Sequence, residues 1–165
     1  MARSNLEQYL SVANLSDEQA AYLAGLIDAD GTVTVIYNTG ARKNGAAPLP
    51  RPMVLIVNSD LSLIRWLREL TEVGCSYETK TRPKRPDQDA AHWNCVHRYQ
   101  VVGRAAQALL ARCRKYMRVK AKQADIVLAL PAKGRDFKMA ASDDQRQRAI
   151  LMAGQIRLLN QRGIK

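Results

Sequence analysis

Four strand-like runs come in two pairs, and a helical pattern precedes each pair. That alternation restricts the possible folds more than any other feature of the chain. TVTVIY (Thr32 to Tyr37) and MVLIV (Met53 to Val57) make the first pair; runs near Cys75–Arg82 and Trp93–Val102 make the second. Before the first pair, Ser16 opens a helix with Gln19 three positions on, a capping box, and Asp17 and Glu18 lie in the first turn, where carboxylates suit the dipole. This helix is expected to run to about Ala29 and to end at Gly31. Before the second pair, Asn58-Ser59-Asp60 caps a helix through about Glu72, with Leu63, Trp66, Leu67 and Leu70 as its apolar stripe and Gly74 as its stop. A helix then follows Gly103, with Ala106, Leu109, Leu110 and Cys113 on one face; another spans roughly Val119–Leu130 up to Pro131. The last is capped by Ser142 and runs to about Asn160. Asn38–Pro52, with three prolines and two glycines, reads as a loop, as does 83–91. Residues 1–15 read as a weakly patterned lead-in to a single domain over 16–165. Two hairpins separated by a helix predict an α+β fold: one antiparallel four-stranded sheet, helices on a single face, the other face left for solvent or ligand.

The charge says what that open face meets. Twenty-six Lys and Arg against fifteen Asp and Glu leave +11 on 165 residues, which points to a polyanion and by default to nucleic acid. No acid occurs from Gly31 to Ser59, nor from Ala90 to Ala124, where Arg98, Arg104, Arg112, Arg114, Lys115, Arg118, Lys120 and Lys122 all fall. Such runs serve either as solvated helix faces or as a phosphate-tracking surface. Cys75, Cys95 and Cys113 have no metal-ligand spacing and read as buried thiols in a reducing compartment. His92 and His97 are too isolated for a zinc site. No run approaches the ~20 apolar residues of a membrane span, and the start MARSNLEQ is unlike a signal peptide. The expectation is a soluble intracellular protein with no membrane and no organic cofactor. Its Ala/Arg-rich usage points to a prokaryotic cytoplasm rather than an organelle.

The end of the first helix, Leu23 to Gly31, carries the chemistry. Ala21, Gly25 and Ala29 stand four apart, so one helix face is stripped of bulk and another backbone can approach it, with Leu26 beside it. Asp30 sits at the helix C-terminus, where free carbonyls and the negative dipole end already favour a cation. With the Ala29 carbonyl it forms an oxygen site suited to a hard divalent ion. Asp28 reads as structural rather than as a ligand.

Leu23–Gly31 spells LAGLIDADG, and all nine positions match the signature of the LAGLIDADG homing endonucleases. The order of elements resembles the αββαββα core of that family, and Lys120-Ala121-Lys122-Gln123-Ala124 resembles the basic K-x-K-Q-A stretch of its single-motif members. Tyr77 after Gly74 and Trp66 also stand where the family leads one to look. The resemblance covers roughly residues 16–130. One copy of the motif implies a homodimer, since two-motif members are pseudo-symmetric monomers about twice as long. Ala21, Gly25, Leu26 and Ala29 would then meet their copies at a two-fold axis. Both Asp30 carboxylates would lie beneath a shared saddle of sheets.

The resemblance implies a site-specific endonuclease making a double-strand break in a long pseudo-palindromic target during intron homing, by divalent-metal-dependent phosphodiester hydrolysis. Mg²⁺ is the expected ion, Mn²⁺ a substitute, and Ca²⁺ an ion that binds without supporting cleavage. Asp30 and Ala29 would hold the metal, and Lys120 would stand near the attacking water and phosphate. Asn58 and Ser59 fall where the family places a polar residue that positions water, although many members have Gln there. Double-stranded DNA would be read from the open sheet face. Thr32 and Thr34 share one parity of the first strand, and Arg98 and Gln100 are the expected readers on the fourth. On the third strand either Tyr77 and Thr79 or Lys80 and Arg82 face DNA, because a one-residue slip exchanges the faces. Arg42, Lys43, Arg51 and Lys122 are further contacts. An RNA maturase and a non-catalytic DNA-binding regulator are the alternative functions.

Overall fold

The computed structural model describes residues 5–37, 49–79, 95–131 and 143–161. The α-helices and β-strands follow in order: α1 (Asn5–Ala13), α2 (Asp17–Asp30), β1 (Gly31–Tyr37), β2 (Pro50–Asn58), α3 (Leu61–Thr71), β3 (Cys75–Thr79), β4 (Val96–Val102), α4 (Arg104–Cys113), α5 (Ala121–Ala129) and α6 (Asp143–Gln161). The strands form one antiparallel sheet in the order β1-β2-β4-β3, as the pattern of hairpins predicts. Val33, Val35, Val54, Ile56, Tyr99 and Val101 point to the helices and are buried with Leu23, Ile27, Ile64, Leu67, Leu109 and Leu110. Full burial of each such side chain stabilises the fold by roughly 1.5–3 kcal/mol.

Helix α2 begins as expected. The Ser16 hydroxyl accepts the Gln19 N–H at 3.2 Å, and Gln19 Oε1 accepts the Ser16 N–H at 2.8 Å. It also ends at Gly31 as expected. The helix reaches Asp30 and passes into β1 without a loop, and Gly31 is extended (φ −84°, ψ 164°) rather than left-handed. Glycine is needed there for proximity, because a Cβ would lie 2.7 Å from Ile27 Cα. By contrast, α3 is stopped not by Gly74 but by Glu72, in a left-handed conformation at φ 55°. Gly74 instead lets the chain cross β4, where a Cβ would meet the Gln100 carbonyl oxygen.

Other expectations need correction. The lead-in over 1–15 contains helix α1, whose Val12 enters the common core, and the Ser11 hydroxyl donates to the Thr71 carbonyl at 2.6 Å. Residues 50–52, expected in a loop, begin β2. Their prolines are tolerated because the Pro52 carbonyl accepts the Gly103 N–H at 2.8 Å. A residue's N–H and C=O leave an antiparallel strand on the same side. The donor that Pro52 lacks would therefore face β4, whose ladder with β2 ends at Met53–Val102. Trp66 is not core: Ile64, Leu67 and Thr71 are buried, while Trp66 meets the exposed Tyr22 ring edge-on at 5.3 Å. Cys113 is buried, but Cys75 and Cys95 are exposed. No described helix is long and apolar enough to cross a membrane.

Candidate active site and nucleic-acid interface

The C-terminal turn of α2 is where distant parts of the chain converge. The turn before α5 folds against it, and three successive N–H groups there, of Arg118, Val119 and Lys120, donate to the Asp28 carboxylate at 2.5, 3.1 and 2.9 Å. Lys120 has no side-chain cap of its own for α5, so Asp28 supplies the anion at that helix start from another helix. Partial burial raises the Asp28 carboxyl's pKa, but these N–H donors and the Lys120 charge outweigh it and hold the group below the usual carboxylate range. Asp28 is thus structural, as its sequence position suggested.

The Lys120 ammonium returns across the same junction. Its Nζ donates to the Ile27 carbonyl at 2.9 Å and to the Asp28 carbonyl at 2.6 Å. It thereby adds a donor to the Ile27 carbonyl, which also accepts the Gly31 N–H, and supplies one to the Asp28 carbonyl, and it offsets the clash between the negative dipole end and the Asp30 charge. Burial pulls the lysine's pKa below its usual value, against the opposing pull of Asp28 and Asp30. Ammonium has three N–H donors, and two are engaged. Asp30 itself is exposed. Among the described residues, no hydrogen bond or ion pair engages its carboxylate, and no group of three or more His, Cys, Asp or Glu gathers around it.

Asn58 ends β2 just beyond Ile56, the partner of Gly31. Its Oδ1 accepts the Asp60 N–H at 2.8 Å, and Asp60 caps α3 by accepting the Ser62 and Leu63 N–H groups. Asn58 therefore has a local structural use. Ser59 is exposed beside it.

The register settles which side chains share the open face. Thr32 pairs with Leu55 and Leu55 with Gln100; Val57 pairs with Arg98 and Arg98 with Tyr77. Directly paired residues point to the same side, so Thr32, Thr34, Arg98, Gln100, Tyr77 and Thr79 lie together, away from the helices. Tyr99, on the opposite parity of β4, is fully buried. Its hydroxyl meets Thr71 Oγ1 at 2.6 Å, and burial pushes its pKa up to about 12. The Tyr77 hydroxyl donates to Gln100 Oε1 at 2.8 Å, tying two expected readers into one unit. Arg51, placed in a loop by sequence, pairs with Ile36 in β2 and belongs to this face too. Arg42, Lys43, Lys80, Arg82, His92 and Ser142 lie outside the described residues.

Part of the second acid-free run is paired within the chain. Arg112 donates to the Leu15 carbonyl and pairs with Asp17 at 2.7 Å, Lys115 pairs with the same carboxylate, and Arg114 grips Asp125 through Nε and Nη2 at 2.6 and 2.8 Å. Hydrogen bonds from Arg112, Lys115 and Tyr116 hold Asp17 down at a pKa of about 2. The run looked unpaired because its acids come from other helices. Lys122 is exposed on α5. On α2, Ala21 and Leu26 are half-buried, Gly25 and Ala29 are exposed, and a Cβ on Gly25 would meet nothing within 4 Å.

A family model described as a LAGLIDADG-like domain matches residues 17–113. The chain belongs to the LAGLIDADG-like domain family. Solved structures agree in fold. The homing endonuclease I-CvuI, in complex with the I-CreI target in the presence of magnesium with the DNA not cleaved, is 22% identical with a TM-score of 0.64, covering 87% of this chain and 83% of that one. The same enzyme on another target with calcium gives 22% identity and a TM-score of 0.61, over 94% and 85% of the two chains. The archaeal intron-encoded homing endonuclease I-Vdi141I, complexed with DNA, is 16% identical with a TM-score of 0.63, over 87% and 84%. No curated protein sequence matches the chain.

Proposed function

We propose that the chain is a homodimeric homing endonuclease that cuts both strands of a long pseudo-palindromic DNA site by divalent-metal-dependent hydrolysis. One observation carries this reading. An exposed carboxylate free of partners among the described residues, Asp30, stands beside Lys120 at the root of β1, two residues before the first side chain of the open face. The strands of that face contribute Arg51, Arg98 and Gln100 and no acid.

One chain offers Asp30 and the Ala29 carbonyl, too few groups to enclose an ion. They fit one side of a Mg²⁺ site whose remaining oxygens come from phosphate and from a second copy. The open Gly25–Ala29 face of α2 admits that copy, and a two-fold axis there brings two Asp30 carboxylates together. A bound divalent ion would supply an activated water and charge relief at the phosphate. Lys120 directs its third N–H toward charge developing on the phosphate oxygens, and its two carbonyl contacts hold it in place beforehand. Asp28 fixes the turn that carries Lys120. Asn58, engaged in its own turn, leaves Ser59 the freer group for orienting water.

The test is selection of cleaved duplexes from a random DNA library with Mg²⁺ or Mn²⁺, with Ca²⁺ as a binding-only comparison. Recovery of one pseudo-palindromic site cut symmetrically supports the reading. A chain that binds RNA or DNA tightly and cuts no duplex is a maturase or a regulator instead.

A further inference from the structure

The open face is not uniformly polar. Its β3–β4 half carries Arg98, Gln100 and Tyr77, and its β1 edge carries Thr32 and Thr34, but β2 between them presents Met53, Leu55 and Val57. All three are half-buried, and Val102, the partner of Met53, extends the strip onto β4. Apart from the weakly accepting Met53 sulfur, none offers a side-chain hydrogen bond. The strip lies in the middle of the face that the proposed function places against DNA, between the Arg51 and Arg98 positions. Charge complementarity on that face therefore favours a duplex over a second protein copy.

Among major-groove base edges only thymine presents a methyl; apart from the small cytosine C5–H, the other features are donors or acceptors. A guanine or cytosine edge laid on Leu55 would lose its water without gaining a partner. We infer that the β2 strip is a specificity element that selects thymine at the base pairs it covers, through van der Waals contact with the C5 methyl. The strip and the β4 readers divide the work. Arg98 and Gln100 read by hydrogen bonds, and β2 reads by shape and dryness. Alternate strand residues are about 6.7 Å apart, close to two base-pair steps of about 3.4 Å. Met53 to Val57 therefore spans a window of about four base pairs in each half-site.

This inference rests on the DNA reading, and its test separates the two. Wild-type chain is titrated with its selected duplex, in which each thymine in turn is replaced by deoxyuridine, which lacks only the methyl. The expected result is a loss of affinity of about fourfold per contacted thymine, the equivalent of ~0.8 kcal/mol, confined to one four-base-pair window per half-site. The loss at each thymine vanishes when the residue over it is shortened, in Met53→Ala, Leu55→Ala or Val57→Ala, because the contact is then already gone. Equal affinity for every deoxyuridine duplex overturns the inference while leaving the nuclease reading intact, as does a methyl effect that survives all three substitutions. A window without thymine also overturns it. A chain that binds no duplex overturns both.

Discussion

Asp28→Asn probes the junction between α2 and the turn that carries Lys120. In the wild type, Oδ2 takes the N–H groups of Arg118 and Val119 and Oδ1 takes that of Lys120. Asparagine has one acceptor oxygen, and its amide donors would face N–H groups. At least one bond to a charged acceptor is lost, and such bonds contribute about 1.5–3 kcal/mol each. Asp28 is only half-buried, so solvent screening reduces the expected loss to about 1–2 kcal/mol in total. For a domain of this size that lowers Tm by about 2–8 °C. The pH dependence distinguishes a charge effect from a packing effect. The folded carboxyl has a pKa below its unfolded value. Its stabilisation is therefore fully present above an unfolded pKa of about 3.9 and disappears as pH falls through the folded pKa. Urea unfolding of both proteins at pH 7, 5 and 3, followed by circular dichroism, should show a gap at the first two that narrows at the third. No gap at pH 7, or one undiminished at pH 3, would refute the role given to these hydrogen bonds.

Asp30→Asn is expected to abolish cleavage while DNA affinity is retained; near wild-type cutting would remove Asp30 from the metal site. Gly25→Leu has room in the isolated fold and should yield a folded monomer, so an active dimer in sedimentation would sink the α2 interface. Lys120→Met should depress the single-turnover rate far more than binding, and equal losses would demote Lys120 to a phosphate contact. Arg98→Ala and Gln100→Ala should each relax base preference at one position in both half-sites, costing ~1–3 kcal/mol there. Unchanged site-preference profiles for both would show that β4 does not read bases.

Local rules were enough wherever a feature is made within a few residues. The Ser16–Gln19 box, the Asp60 cap of α3 and the four buried positions of α4 follow from hydrogen-bonding reach and helical period, and Leu23–Gly31 was legible as a contiguous motif. The sequence also implied strand alternation, and hence two candidate faces for each strand. It could not choose between them on β3, because parity is decided by the partner strand. The register Tyr77–Arg98 made that choice. Likewise, nothing local reveals that three N–H groups at 118–120 end on a carboxylate about ninety residues earlier, or that Arg112, Arg114 and Lys115 are held by Asp17 and Asp125. Gly31 and Gly74 were visible as glycines, but the backbone atoms that exclude a Cβ come from packing. A chain thus carries its short-range caps and periodicities in its own order, whereas ion pairing, strand parity and the meeting of Lys120 with Asp28 depend on distances that exist only once the helices and the sheet have closed on one another.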